Sequence, residues 1–151
     1  MKIYTEEELL NKTSSLCSTS EHCISEIDDK LRRRGASEEM IGHIISKLLK
    51  ENFIDETRYA KAFVRDKYRF NKWGIAKIRL ALKMKRINHN DIETALDEID
   101  RKEYLSILGD IIQSKRKSVK AKDKYEMNGK LIRFALSKGY EIDEIRLIIE
   151  Q

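Results

Sequence analysis

One spacing of apolar residues occurs three times along the chain. Ile27, Leu31, Ile41 and Ile45 are matched by Ile78, Leu82, Ile92 and Leu96, and again by Leu131, Ala135, Ile145 and Ile149. The first shift is 51 residues and the second 53. Within each set the residues four apart share one face of a helix. Between the two halves of each set stands a basic residue followed by a turn position: Arg34 and Gly35, Lys85 and Arg86, Lys138 and Gly139. A cation suits the negative end of a helix dipole. Glycine takes the left-handed conformation that stops a helix. Arg86 departs from this pattern, because a non-glycine residue in that conformation costs about 1–2 kcal/mol.

Each set therefore reads as a helix, a turn and a second helix. Ser37 with Glu38 and Glu39, and Asn88 with Asp91, carry the side chains that cap a helix start. Asp55 is expected to start the fourth helix, and Ser18 with Glu21 to cap the second. A longer amphipathic stretch precedes each pair, at 6–16, 55–70 and 101–116. The expectation is an all-α fold of three tandem three-helix repeats, at 6–52, 53–100 and 101–151. Each unit alone has little apolar surface, so stacking must cover their faces, giving an elongated, curved molecule. Composition agrees. Charged residues make up 38% and aromatics 7%, and there is no proline to break helices or edge a sheet.

Charge is unevenly distributed. Residues 58–89 hold eleven basic groups against the single Asp66. Residues 115–138 hold nine against Asp123 and Glu126. The segments before, between and after these blocks are net acidic. Burying an unpaired cation is costly, so these groups belong on the surface, where they attract a polyanion or an acidic protein face. The second block includes a weakly periodic stretch, read as a helix end, a mobile basic loop and a helix start.

Other chemistry is not indicated. His22, His43 and His89 are dispersed, and no Ser-His-acid spacing or Gly-rich phosphate loop occurs. Cys17 and Cys23 lack metal-ligand spacing and read as reduced thiols. No stretch approaches the ~20 apolar residues that span a membrane. A cytoplasmic chain without enzymatic activity, metal or cofactor is expected.

The middle unit carries a resemblance. Phe53, Ile54, Asp55, Arg58, Tyr59, Ala60, Phe63 and Val64, followed by Lys72, Trp73 and Gly74 and then Ile78, Leu82 and Ile87, resemble the RecX-family signature. Glu56 and Arg86 differ from that pattern, as does Cys23 in the first unit. Tyr59, Ala60, Phe63 and Val64 share a helix face and read as core. Trp73 reads as packing in the corner between helices. Tyr125 could stack on a base, but packing is its expected role.

The resemblance implies a regulator that binds the RecA–single-stranded DNA filament, spanning neighbouring subunits as a monomer and restraining filament growth, strand exchange, ATPase and co-protease activity. The expected contact residues are Arg58, Lys61, Arg65, Lys67, Arg69 and Lys72 on the fourth helix and its exit. Lys77, Arg79, Lys83, Lys85 and Arg86 continue the strip on the fifth. Lys115, Arg116, Lys117, Lys120, Lys122 and Lys124 form the second basic segment. Two alternatives stand beside it: weak, sequence-indifferent DNA binding, and a protein-interaction scaffold. The second helices of the pairs carry mostly acidic and apolar residues, which argues against reading bases in the major groove.

Overall fold

The computed structural model describes residues 2–150. Among them are nine helices: α1 (Glu6–Thr19), α2 (Ile24–Arg33), α3 (Glu38–Lys50), α4 (Glu56–Arg69), α5 (Ile75–Met84), α6 (His89–Asp97), α7 (Arg101–Ser118), α8 (Lys124–Ser137) and α9 (Ile142–Ile149). They group in threes, and the repeat seen in the sequence is the repeat of the core. Ile27, Leu31 and Ile41, then Ile78, Leu82 and Ile92, then Leu131, Ala135 and Ile145 are all buried.

The three internal turns are one structure made three times. Arg34, Lys85 and Lys138 are the C-caps of α2, α5 and α8. Gly35, Arg86 and Gly139 follow at φ +82°, +62° and +100°. The next amide in each case reaches back over the turn, from Ala36 to Leu31 O (3.1 Å), Ile87 to Leu82 O (3.1 Å) and Tyr140 to Ala135 O (3.2 Å). This is the Schellman closure, which satisfies the last carbonyls of a helix. Arg86 adopts the left-handed conformation in spite of its side chain.

Helix starts follow their local sequence in most places. Ser37, Asp55 and Asn88 each accept a bond from a first-turn amide. The start of α2 differs from expectation. Ser18 lies inside α1 and bonds back to Ser14 O at 2.9 Å. The N-cap of α2 is Cys23, whose amide donates to Glu26 Oε1 at 3.1 Å. Helical spacing continues past Leu16, so α1 simply extends to Thr19.

The units are not joined alike. Helices α4 to α9 share one core, whereas α1 to α3 enclose their own around Leu9, Ile44 and Leu48. Of the first unit's buried side chains, Cys23 belongs to the larger core. In return Ile54, at the entry to the second unit, is buried in the first unit's core with Phe53 packed beside it, and polar contacts add to the junction: Ser25 Oγ donates to Lys85 O at 2.7 Å, and Lys85 pairs with Glu26 at 3.0 Å.

The junction of the second and third units uses backbone. The N-cap of α5 is Gly74, which has no side chain to satisfy the orphan amides of the first turn. The third unit satisfies them instead. Gly74 N–H donates to Lys138 O (2.7 Å) and Ala76 N–H to Gly139 O (3.0 Å). Ile75 N–H donates to the Tyr104 hydroxyl (2.8 Å). Both junctions thus set the start of one unit's second helix against the end of the next unit's second helix.

Candidate functional site

None of the seventeen cations named from the sequence is buried. The strip at 58–86 is nevertheless not a continuous positive field, and here the expectation needs correction. Five of its eleven members are neutralised. Arg58 pairs with Glu21 and also donates to Asn52 O at 3.1 Å. Lys61 pairs with Glu98 (2.9 Å) and Arg69 with Glu103 (3.0 Å). Arg79 makes a two-pronged contact with Glu93 (3.0 and 2.9 Å), and Lys85 meets Glu26. Every one of these pairs involves a carboxylate outside the basic block, so a count along the chain could not find them.

The pairs show in the carboxyl groups. Hydrogen bonds from Arg79 hold Glu93 below the ordinary carboxylate range. Those from the Tyr68 hydroxyl and Arg69 do the same for Glu103. At Glu26, burial works to raise the pKa, but hydrogen bonds from Lys85 and the Cys23 amide outweigh it and the net direction is down.

Arg65, Lys67, Lys72, Lys77, Lys83 and Arg86 have no carboxylate within ion-pair distance among the described residues. Two of them embrace the single tryptophan. The ammonium groups of Lys67 and Lys77 lie 4.7 and 4.6 Å from the Trp73 ring. Trp73 itself packs half-buried against the larger core, in the corner between α4 and α5.

In the second block, Lys115, Arg116 and Lys117 occupy the last turn of α7, where the helix dipole favours cations. Lys120 and Lys122 lie on the connection, and Lys124 opens α8. None has a carboxylate partner among the described residues. The Lys130 ammonium donates to Lys120 O at 2.7 Å and so holds the connection to α8. Tyr125 does not pack: it is 89% exposed, at the first turn of α8 beside these cations.

Folding brings the two blocks together at one place. A cleft of about 330 Å³ between the second and third units is lined by Lys72 from one side and Lys115 and Lys138 from the other. Asn71, Ser114 and Ser118 add polar groups, Ile111 and Phe134 form an apolar wall, and Asp110 is its one carboxylate. Lys115 lies 4.8 Å above the Phe134 ring, and Lys138 reaches toward Asn71 O at 3.4 Å. Lys138 was missing from the residues chosen by sequence. Its place within the second basic block and at a helix C-cap was the available signal. Three ammonium groups, two hydroxyls and an amide suit phosphate oxygens.

Among the described residues no group of three or more His, Cys, Asp or Glu side chains could hold a metal ion. Cys17 and Cys23 are free thiols, and burial pushes both up from the ordinary thiol range. Among the described residues no helix is long and apolar enough to cross a membrane.

Tandem three-helix units with cations gathered at a junction define a helical-repeat protein with a lysine-lined cleft between two of its units. A family model described as "RecX, second three-helix domain" matches residues 55–96. Regulatory protein RecX of Clostridium perfringens (strain 13 / Type A) is 30% identical over 155 residues, covering 99% of this chain and 72% of that protein. The RecX of Vibrio parahaemolyticus serotype O3:K6 is 33% identical over 130 residues, with 86% and 82% covered. The chain belongs to the RecX family. Against the regulatory protein RecX of Clostridium botulinum (strain Eklund 17B / Type B), 34% identical, it spans 59% of that protein's length. The crystal structure of RecX from Lactobacillus salivarius superposes with a TM-score of 0.83 at 26% identity, over 96% of this chain and 94% of that one.

Proposed function

We propose that this chain binds a RecA–single-stranded DNA filament and restrains it by occupancy, without catalysis. The observation that carries this reading is the gathering of cations without an ion-paired carboxylate among the described residues, Lys67, Lys72, Lys77, Lys115 and Lys138, around the junction of the second and third units. A row of helical units with its anion-receptive groups at a junction can lie along an extended partner. Touching two filament subunits at once raises effective concentration and favours assembled filament over free RecA. Such a body obstructs filament extension, strand exchange and filament-linked ATP hydrolysis by its presence alone.

The test is RecA's DNA-dependent ATPase with this protein at sub-stoichiometric amounts, alongside sedimentation of filaments held by a non-hydrolysable nucleotide. Inhibition together with co-sedimentation is expected. Full ATPase activity and an empty pellet would defeat the proposal.

The second reading is sequence-indifferent binding to single-stranded DNA. The cleft of Lys72, Lys115 and Lys138 favours it, because these groups suit phosphate and offer no base-edge pattern. Binding to bare oligonucleotide that falls steeply with salt, without effect on RecA at matched concentration, would select it.

A further inference from the structure

The outer face of α5 carries a feature that the phosphate-receptive cleft does not explain. Ile78 and Leu82 of this helix are fully buried. Leu80 and Met84, two residues on from each, point to the opposite side and are 59% and 77% exposed. They stand four apart with Ala76 one turn before, also exposed, so the three form one ridge along the helix.

The sister helices make the comparison internal. In the repeat, Leu80 corresponds to Asp29 on α2 and Arg133 on α8, and Met84 corresponds to Arg33 and Ser137. This fold therefore accepts charged or polar residues at both positions. Of the three sister helices, α5 alone has apolar residues at both of these positions. Isolated exposed apolar residues need no explanation, but an aligned apolar ridge with a polar rim marks an interaction surface.

The rim is cationic. Lys77, Lys83 and Arg86 lie beside or beyond the ridge on the same helix and its terminal turn, and none has a carboxylate within ion-pair distance among the described residues. The helix's other two cations, Arg79 and Lys85, are already occupied by Glu93 and Glu26. A nucleic-acid backbone would use the cations but leave Leu80 and Met84 against charged phosphates. A protein segment with apolar side chains bordered by carboxylates satisfies both.

We propose that the Ala76–Leu80–Met84 ridge of α5, rimmed by Lys77, Lys83 and Arg86, is a protein-docking face for an acidic, apolar segment of the filament protein, distinct from the phosphate-receptive cleft at Lys72, Lys115 and Lys138. The assignment rests on the filament-binding reading above and divides it into a protein half and a nucleic-acid half.

The experiment compares Leu80→Ser with Met84→Ser as a double variant, Lys83→Glu as a second, and the unaltered chain. Each is titrated onto bare fluorescent oligo(dT) and onto RecA–oligo(dT) filaments held by a non-hydrolysable nucleotide. Filament affinity should fall on the order of tenfold for both variants, the loss expected of anchor residues at an interface. Bare oligo(dT) affinity should stay within about twofold for the double variant, since no phosphate-binding group is removed. Helicity and melting should be unchanged, because the substituted positions are polar in the sister helices. Full filament affinity in both variants would overturn the docking face while leaving the filament-binding reading intact. Equal loss on bare oligo(dT) for the double variant would assign the ridge to nucleic acid instead. If the unaltered chain itself fails to bind filaments, the functional reading falls and the docking face with it.

Discussion

The backbone amide of Gly74 donates a 2.7 Å hydrogen bond to the carbonyl of Lys138, so a helix start in the second unit is capped by a helix end in the third. The two segments are so close there that a Cβ on Gly74 would stand 2.2 Å from the Gly139 carbonyl carbon. Only glycine fits, and the close approach carries Lys72 and Lys138 to the same cleft.

Gly74→Ala should therefore cost about 2–4 kcal/mol, since it overpacks against backbone and strands amides that lack any other cap. Urea unfolding followed by helical circular dichroism measures it. An alanine variant as stable as the original would show that the junction yields easily.

Arg86 stands at φ +62° where its counterparts are glycine. Arg86→Gly should stabilise the chain by about 1 kcal/mol, the left-handed penalty less the extra freedom glycine has when unfolded. A rise in melting temperature is the readout, with Arg86→Ala as the control that keeps the penalty.

Free and paired cations should behave as two populations. Replacing Lys72, Lys115 and Lys138 by glutamine should leave stability nearly unchanged. The dependence of log K on log salt for single-stranded DNA should flatten by about 2, because each phosphate no longer neutralised removes roughly 0.7 from the slope. Replacing Arg79 and Lys85 by glutamine should do the reverse: stability falls, because Glu93 and Glu26 lose their partners, and the salt slope hardly moves. Salt-titrated binding and denaturation of both variants check this.

Two carboxyls near the junction of the first and second units should give opposite pH responses. Burial, with Asp91, Glu26 and Asp55 nearby, pushes the Glu56 carboxyl up, and its Oε2 is buried without a hydrogen-bond partner. An acid with a raised folded pKa lowers stability as pH rises through the interval between its unfolded and folded values. Glu56→Gln should therefore stabilise the chain at neutral pH, with the gain fading below the carboxylate range. Glu26 has a depressed folded pKa, so its contribution is present above the unfolded value and is lost as pH falls through the folded one. Glu26→Gln should destabilise at neutral pH and converge with the original chain in acid. Thermal melts of both variants between acid and neutral pH separate the two signs.

Much of the fold was legible from local pattern. Ile78 and Leu82 recur four apart on one face, Asp55 and Ser37 carry side chains that can reach an amide three residues on, and Gly35 and Gly139 can turn left-handed. Each rule needs only neighbours along the chain. Ser18 failed as a cap because it competes with the continuing helical spacing of α1, and its hydroxyl found Ser14 O inside that helix. Packing is the expectation for Tyr125 because aromatic burial is favourable, yet the first turn of α8 offers it no opposing surface.

By itself the sequence determined the nine helices of the described residues, the caps at Ser37, Asp55 and Asn88 and a threefold register, since these depend on side chains three or four residues apart. Which cations are free to act was decided only in three dimensions. Coulomb attraction acts through space: Glu93, Glu98 and Glu103 lie beyond the first basic block along the chain but against it in the fold. Close approach of Gly74 to Gly139 then joined Lys72 to Lys115 and Lys138, a meeting that no local spacing encodes.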